Sequence, residues 1–231
     1  MENKGFTVRE GRTEIDVPHQ NGILTFIHPY MGPNTFAKVG EQIDEKNLQR
    51  PTYAQTASLA HTAWQNQDNK YSQEIIKLLK SNWFWGFNGI LYVPKEGAFI
   101  EDAPKVVDGR VSMDKSALVK RLEAGDKAVR FAPFGFKTGE QSAKDLAKNA
   151  FIIALAGEEG AEKLTEVAGK YSAKPYVNSY NKIDQETVRV PALDECYVGY
   201  WLGVYSSDWD DFRSGCAFGV SNSCEAGAPK K

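Results

Sequence analysis

Two groupings of side chains in this sequence have types and spacings that could do chemistry: the separated histidines His28 and His61, and the glycine-spaced aromatics between Tyr197 and Tyr205. An imidazole trades a proton near neutral pH without further tuning, which makes both histidines candidate general acids or bases. His28 closes the apolar run Ile23-Leu24-Thr25-Phe26-Ile27, where a strand gives way to a loop. His61 lies beside the stripe formed by Tyr53, Ala57, Ala60 and Trp64. A hydrogen-bonded structural histidine is the commoner outcome in either setting. A hydrolase or transferase would need one of them to meet carboxylates from distant segments, because the adjacent acids Glu101-Asp102 and Glu158-Glu159 diverge on a strand or helix. The sequence contains no Gly-x-Ser-x-Gly elbow, His-Glu-x-x-His pair or Gly-x-Gly-x-x-Gly fingerprint. No cysteine has a setting that suggests thiolate activation. The balance leans away from an enzyme.

From 197 to 205, Val198, Tyr200, Leu202 and Val204 form one face of a strand, and Tyr197, Gly199, Trp201, Gly203 and Tyr205 the other. The first is a core face. The second can form a flat platform for a sugar, a base or another planar ligand, which makes Tyr197, Trp201 and Tyr205 the expected ligand-binding residues. Its glycines equally suit a structural use, leaving room for a ring such as Phe218 of a neighbouring strand. Residues 184–213 carry seven carboxylates against Arg189 and Arg213, a net charge of -5 in a chain of -2 overall. Within that stretch Asp208, Asp210 and Asp211 could offer hard oxygens to Ca²⁺ or Mg²⁺. They lack the spacing and distal glutamate of an EF-hand loop, so a solvated hairpin loop is expected and no metal or other cofactor is assigned.

The segment Pro133-Phe134-Gly135-Phe136-Lys137-Thr138 resembles a phosphate-binding loop only superficially. Its first glycine is missing and Phe136 separates Gly135 from Lys137, so a helix cap at Thr138 is the expectation. Cys196, Cys216 and Cys224 are spaced by 20 and 8 residues, far from the histidines, which disfavours zinc. If 197–205 pairs with 216–220 around a loop at 206–215, Cys196 lands near Cys224, and a disulfide there is the minority expectation. An odd cysteine count and the absence of Asn-x-Ser/Thr favour a reducing, cytoplasmic setting.

Periodicity supplies the elements that must position these groups. Strands are expected at 13–17, 23–27, 90–93, 98–100, 128–131, 187–190, 197–205 and 216–220. Asp108-Gly109 between valine-bearing runs marks a two-residue hairpin turn. Helices are expected after Asn34, from Thr52 with Gln55 completing a capping box, over 71–79, and over 112–124 with Leu118, Val119 and Leu122 inward. A further helix is expected from Thr138, with Gln141 as its capping partner, to a stop at Gly157, followed by another to Lys170. Trp83-Phe84-Trp85-Gly86-Phe87 is the densest aromatic cluster and a core segment.

Grouped hairpins and grouped helices predict an α+β fold with a largely antiparallel sheet, residues 1–220 forming one domain and 221–231 a flexible tail. Composition agrees: 231 residues, 42% hydrophobic and 25% charged, with 28 basic against 30 acidic side chains. Such a balance offers no field for nucleic acid, and no apolar run is long enough to span a membrane. The expectation is a soluble, non-catalytic binding protein, its partner a protein or a small planar ligand, using the aromatic strand and the acidic loop beside it.

Overall fold

The computed structural model describes residues 7–9, 13–196, 201–207 and 214–222. In chain order the elements are β1 (Thr7–Arg9), β2 (Glu14–His19), β3 (Gly22–Asn34), α1 (Phe36–Glu45), α2 (Tyr53–Gln65), α3 (Lys70–Leu79), β4 (Trp83–Trp85), β5 (Asn88–Val93) and β6 (Gly97–Asp102). There follow β7 (Lys105–Val107), β8 (Arg110–Ser112), α4 (Lys115–Glu123), β9 (Val129–Pro133), β10 (Gly139–Glu140), α5 (Ala143–Leu146) and α6 (Ala150–Ala168). The chain then returns to strands: β11 (Tyr176–Asn178), β12 (Thr187–Arg189), β13 (Ala192–Cys196), β14 (Trp201–Tyr205) and β15 (Gly215–Val220). The fold is α+β with mostly antiparallel sheets, as the grouped patterning implies.

The larger sheet has the order β1-β2-β3-β15-β4-β13-β14-β11-β10, antiparallel except for β15 beside β4 and β11 beside β14. A second sheet, β12-β5-β6-β9, and the small β7-β8 hairpin complete the strands. Strand alternation sorts side chains to opposite faces. Phe84, Leu193, Leu202, Val204 and Phe218 of the large sheet join α2, α3 and α6 in the main core, together with Ile90, Tyr92 and Ile100 of the second sheet. The opposite face of the large sheet carries Ile27, Met31, Trp85, Tyr205 and Ala217 and packs with Phe36, Val39 and Ile43 of α1. Leu91, Val93 and Phe99, on the other face of the second sheet, pack with Leu118 of α4.

Several elements stand where periodicity puts them. Thr52 and Gln55 exchange both bonds of the capping box at the start of α2. The β7-β8 hairpin turns on Asp108 and Gly109, at φ 50° and 77°, as that dipeptide requires. Phe84, Trp85 and Phe87 are fully buried. Other expectations are overturned. Thr138 caps no helix: Gly139 takes φ 78° and leads into β10, and Asn149, which caps α6, donates to the Gln141 side chain. Leu122 lies on the exposed side of α4. The break at Gly157 (φ 72°) stands where the sequence puts it, and the second run ends at Ala168 rather than Lys170.

The largest correction concerns the aromatic strand. Residues 197–200 lie outside the described residues; from Trp201 on, the strand pairs back on β13 in the register Cys196↔Trp201 to Ala192↔Tyr205. Its other neighbour is β11, and β15 lies two strands away between β3 and β4. The pairing that would have set Cys196 near Cys224 therefore does not exist, and Cys224 lies outside the described residues. Asp194-Glu195 hid β13, because two acids interrupt its apolar pattern although both are buried.

A polar junction ties the second sheet to the helices. Asn88, fully buried, accepts from the Tyr53 backbone N–H at 2.6 Å and donates to Asp102 at 2.5 Å. Arg130 grips Asp102 with two bonds and donates to the Ala154 carbonyl of α6. Asn88→Ala orphans the Tyr53 N–H, at about 1–3 kcal/mol for an unsatisfied buried group, and removes a charge-assisted bond to Asp102, whose oxygens keep Arg130. A loss of at least ~2 kcal/mol in urea unfolding is expected; a neutral result would show that water replaces the amide without cost.

Candidate functional site

The β13-β14 hairpin carries the described aromatic candidates, and alternation divides its side chains between two faces. On the face toward α1, Trp201, Gly203 and Tyr205 line up as the sequence pattern requires. Tyr205 is nearly buried and stacks on Trp83, with ring centroids 5.1 Å apart and planes 26° from parallel. Trp83 in turn meets Trp85 edge-on at 5.5 Å. Gly203 is what lets the Tyr205 ring lie along its own strand, since a Cβ there would stand 2.4 Å from a ring carbon. The ring that uses the glycine is thus Tyr205 itself, not Phe218, which faces the helices and touches His28, Tyr30 and Phe84.

Trp201 is half-buried and meets the ring of Tyr176 of β11, 39% exposed, at 6.4 Å and 32°. The parallel register sets Tyr176 opposite Gly203, so both rings emerge on one face. Sequence reading missed Tyr176, because a three-residue strand leaves no periodic trace. Asp194 also pairs with Gly203, and a carboxylate oxygen stands 3.3 Å from where a Cβ of that glycine would be. The result is a row of rings, anchored at the Trp85 end and more exposed at the Tyr176 end, with an acid beside it. Tyr197 and the acidic side chains Asp208, Asp210 and Asp211 lie outside the described residues. The start of their loop is pinned: Tyr92 shares hydrogen bonds with Ser179 and Ser206, and Tyr180 and Arg189 both donate to the Ser207 carbonyl.

The histidines lie elsewhere and apart from one another. His28 meets Glu74 of α3 at 2.9 Å and sits edge-on to Tyr71. His61 meets Glu166 of α6 at 2.8 Å, with Gln65 bonding the same carboxylate. Each does gain a carboxylate from a distant segment. Among the described residues, neither hydrogen-bonds a hydroxyl or a thiol that could serve as a nucleophile. The third histidine escaped sequence reading: His19 Nδ1 lies 2.9 Å from Ser58 Oγ, which also accepts from Lys163 at 3.0 Å. Burial, then the Lys163 charge, holds the His19 pKa below its ordinary value. Ser58 is buried in the middle of α2, so this cluster clasps the β2-β3 turn to the helices rather than presenting a nucleophile.

The loop that mimics a phosphate-binding motif lines an open groove of about 500 Å³ with Gln141, Asp145 and Asn149. Its Lys137 is paired with Asp145, and the Asn149 amide holds the Lys137 carbonyl. No three His, Cys, Asp or Glu side chains converge on a metal position among the described residues.

On the helix-facing side of the same hairpin sits Glu195, its side chain 1% exposed. Burial raises its pKa above the ordinary 4.5, opposed by Lys80 and by Tyr171. The folded state therefore binds this proton more tightly than the unfolded chain does. Glu195 adds stability at pH below 4.5 and loses it as pH rises through the raised value. Glu195→Gln should gain thermal stability relative to the parent protein on going from acid to neutral pH. A constant difference across that range would mean that Glu195 is solvated in the folded state. Neither a family model, a curated protein nor a solved structure matches this chain, so its functional reading rests on the geometry above.

Proposed function

We propose that this protein is a non-catalytic binding protein that receives a planar or ring-shaped small molecule on the aromatic row of β14 and β11, beside the acidic segment. The observation that carries the reading is the unequal burial along the row. Tyr205 is committed to Trp83 and the core, while Trp201 and Tyr176 stay partly exposed on one face of adjacent strands. Two rings held by strand geometry present a large apolar area at small conformational cost, which suits stacking against a sugar or a base. Asp194 beside the row would favour ligands that carry hydrogen-bond donors.

A hydrolase or transferase is the second reading. What favours it is that His28 and His61 each reach a carboxylate 46 and 105 residues away. Its sites would be two separate pairs rather than one constellation. Turnover of activated esters that is lost in His28→Ala or His61→Ala would establish it in place of the first.

The binding reading makes a paired prediction. Trp201→Ala should leave the fold intact by circular dichroism and abolish the thermal shift produced by the best ligand from a panel of nucleosides and monosaccharides. Tyr205→Ala should instead cost about 3–5 kcal/mol of stability, the usual range for deleting a buried aromatic. Unfolding of Trp201→Ala, or full binding by it, would remove the platform.

A further inference from the structure

The helix-facing side of β13 carries a second and separate arrangement. β4 pairs with β13 only at Ala192 and Leu193, and beyond that point Glu195 meets the helices. Three helix ends supply its neighbours: Trp64 from the last turn of α2, Lys80 from the C-cap of α3, and Tyr171 just past α6. Both Glu195 oxygens are buried without a hydrogen-bond partner, and so are the Tyr171 hydroxyl and the Trp64 indole N–H. Buried carboxylates, hydroxyls and indoles are seldom left unsatisfied, and each such group calls for an explanation.

The groups are near neighbours. The Trp64 and Tyr171 rings meet edge-on at 5.6 Å. The Lys80 ammonium stands 4.0 Å from Glu195 Oε1, longer than a hydrogen bond, and 5.6 Å over the Trp64 ring. Tyr171 couples electrically to Glu195, and its own pKa is raised, first by burial and then by that charge. Thus a carboxylate, two aromatic rings and a loosely seated ammonium share one partly enclosed place. The Lys80 side chain is 47% exposed, so it reaches in from the surface and can swing out.

We propose that this cluster is a binding site for the primary ammonium group of a small alkylamine, which takes the position that Lys80 occupies as an internal stand-in. A carboxylate supplies charge and hydrogen-bond acceptors, and ring faces attract a cation while excluding water. A hard divalent metal fits poorly, because it needs about six oxygen ligands and finds one carboxylate and one phenol. The helix C-termini add to the preference for positive charge, since their carbonyls carry partial negative charge. This site is independent of the aromatic row on the opposite face of the hairpin.

Ethylammonium is the probe. Lys80→Met keeps the aliphatic stem over Trp64 and removes the competing charge. Ethylammonium chloride should raise the melting temperature of this variant above its value in sodium chloride of equal ionic strength, and Glu195→Gln in the same background should erase that difference. A tethered ammonium competes at millimolar effective concentration, so the variant should bind about tenfold more tightly than the parent protein. If Lys80→Met fails to fold, proton NMR of ethylammonium with the parent protein decides the matter. Binding against the rings shifts its methyl signal upfield in a saturable manner that is lost in Glu195→Gln. A shift equal to that of sodium chloride, or one that survives Glu195→Gln, means that the cluster holds only water, and the proposal fails.

Discussion

The burial of α2 on nearly all sides is the constraint from which much of this structure follows. Its residues Thr56, Ala57, Ser58, Leu59, Ala60, Thr62 and Ala63 are all withdrawn from solvent, and it packs on α3 and α6 as well as on strands of the large sheet. Small side chains at Ala54, Ala57, Ala60 and Ala63 let its neighbours approach closely. A buried helix cannot leave its polar atoms to water, so each must be met from elsewhere in the chain. Thr56 donates to the Trp85 carbonyl, Tyr53 N–H goes to Asn88, Ser58 to His19 and Lys163, and His61 to Glu166. Every one of these bonds reaches an element distant in sequence. They fix the positions of the β2-β3 turn, the second sheet and α6 around one axis.

That requirement also assigns the histidines a role that needs no chemistry. His19 and His61 both serve α2, one hydrogen-bonded to its buried Ser58 hydroxyl and the other reaching from it to α6, and His28 bridges β3 to α3. An imidazole is well suited to such service, because its two nitrogens can join groups that lie on opposite sides of the ring. At the two ends of α2 the rule is broken: the Tyr53 hydroxyl at its start and the Trp64 N–H in its last turn find no partner, nor does the Tyr171 hydroxyl beside Trp64 or the Glu195 carboxylate.

How much of this was legible in the sequence follows from the range of each interaction. Local signals held: Thr52 with Gln55, Asp108-Gly109, and the burial of Phe84, Trp85 and Phe87 all depend on residues close along the chain. The Thr138 cap failed because Gln141 is taken by Asn149 eight residues on, a competition no short motif records. Strand order was illegible for the same reason at larger scale. β14 was expected beside β15, but the acids of β13 concealed the strand that claims it. Of the candidate site, Trp201, Gly203 and Tyr205 were placed on one face by alternation alone, whereas Tyr176 and Trp83 arrive through pairing and packing that only the folded chain displays.

The two acids that obscured β13 are also what makes its hairpin unusual. Consecutive residues on a strand face opposite ways, so Asp194 and Glu195 cannot share a site. Asp194 stands beside Gly203 and the aromatic row; Glu195 enters the helical layer among Trp64, Tyr171 and Lys80. A strand selected for stability alone would place apolar residues at both positions, because a buried carboxylate gains less from its partners than it loses in leaving water. Replacing neither leaves one short hairpin with an acid and aromatic rings on each of its faces. The proposed ligand recognition on one face and the proposed cation recognition on the other would account for both costs without requiring the two faces to communicate.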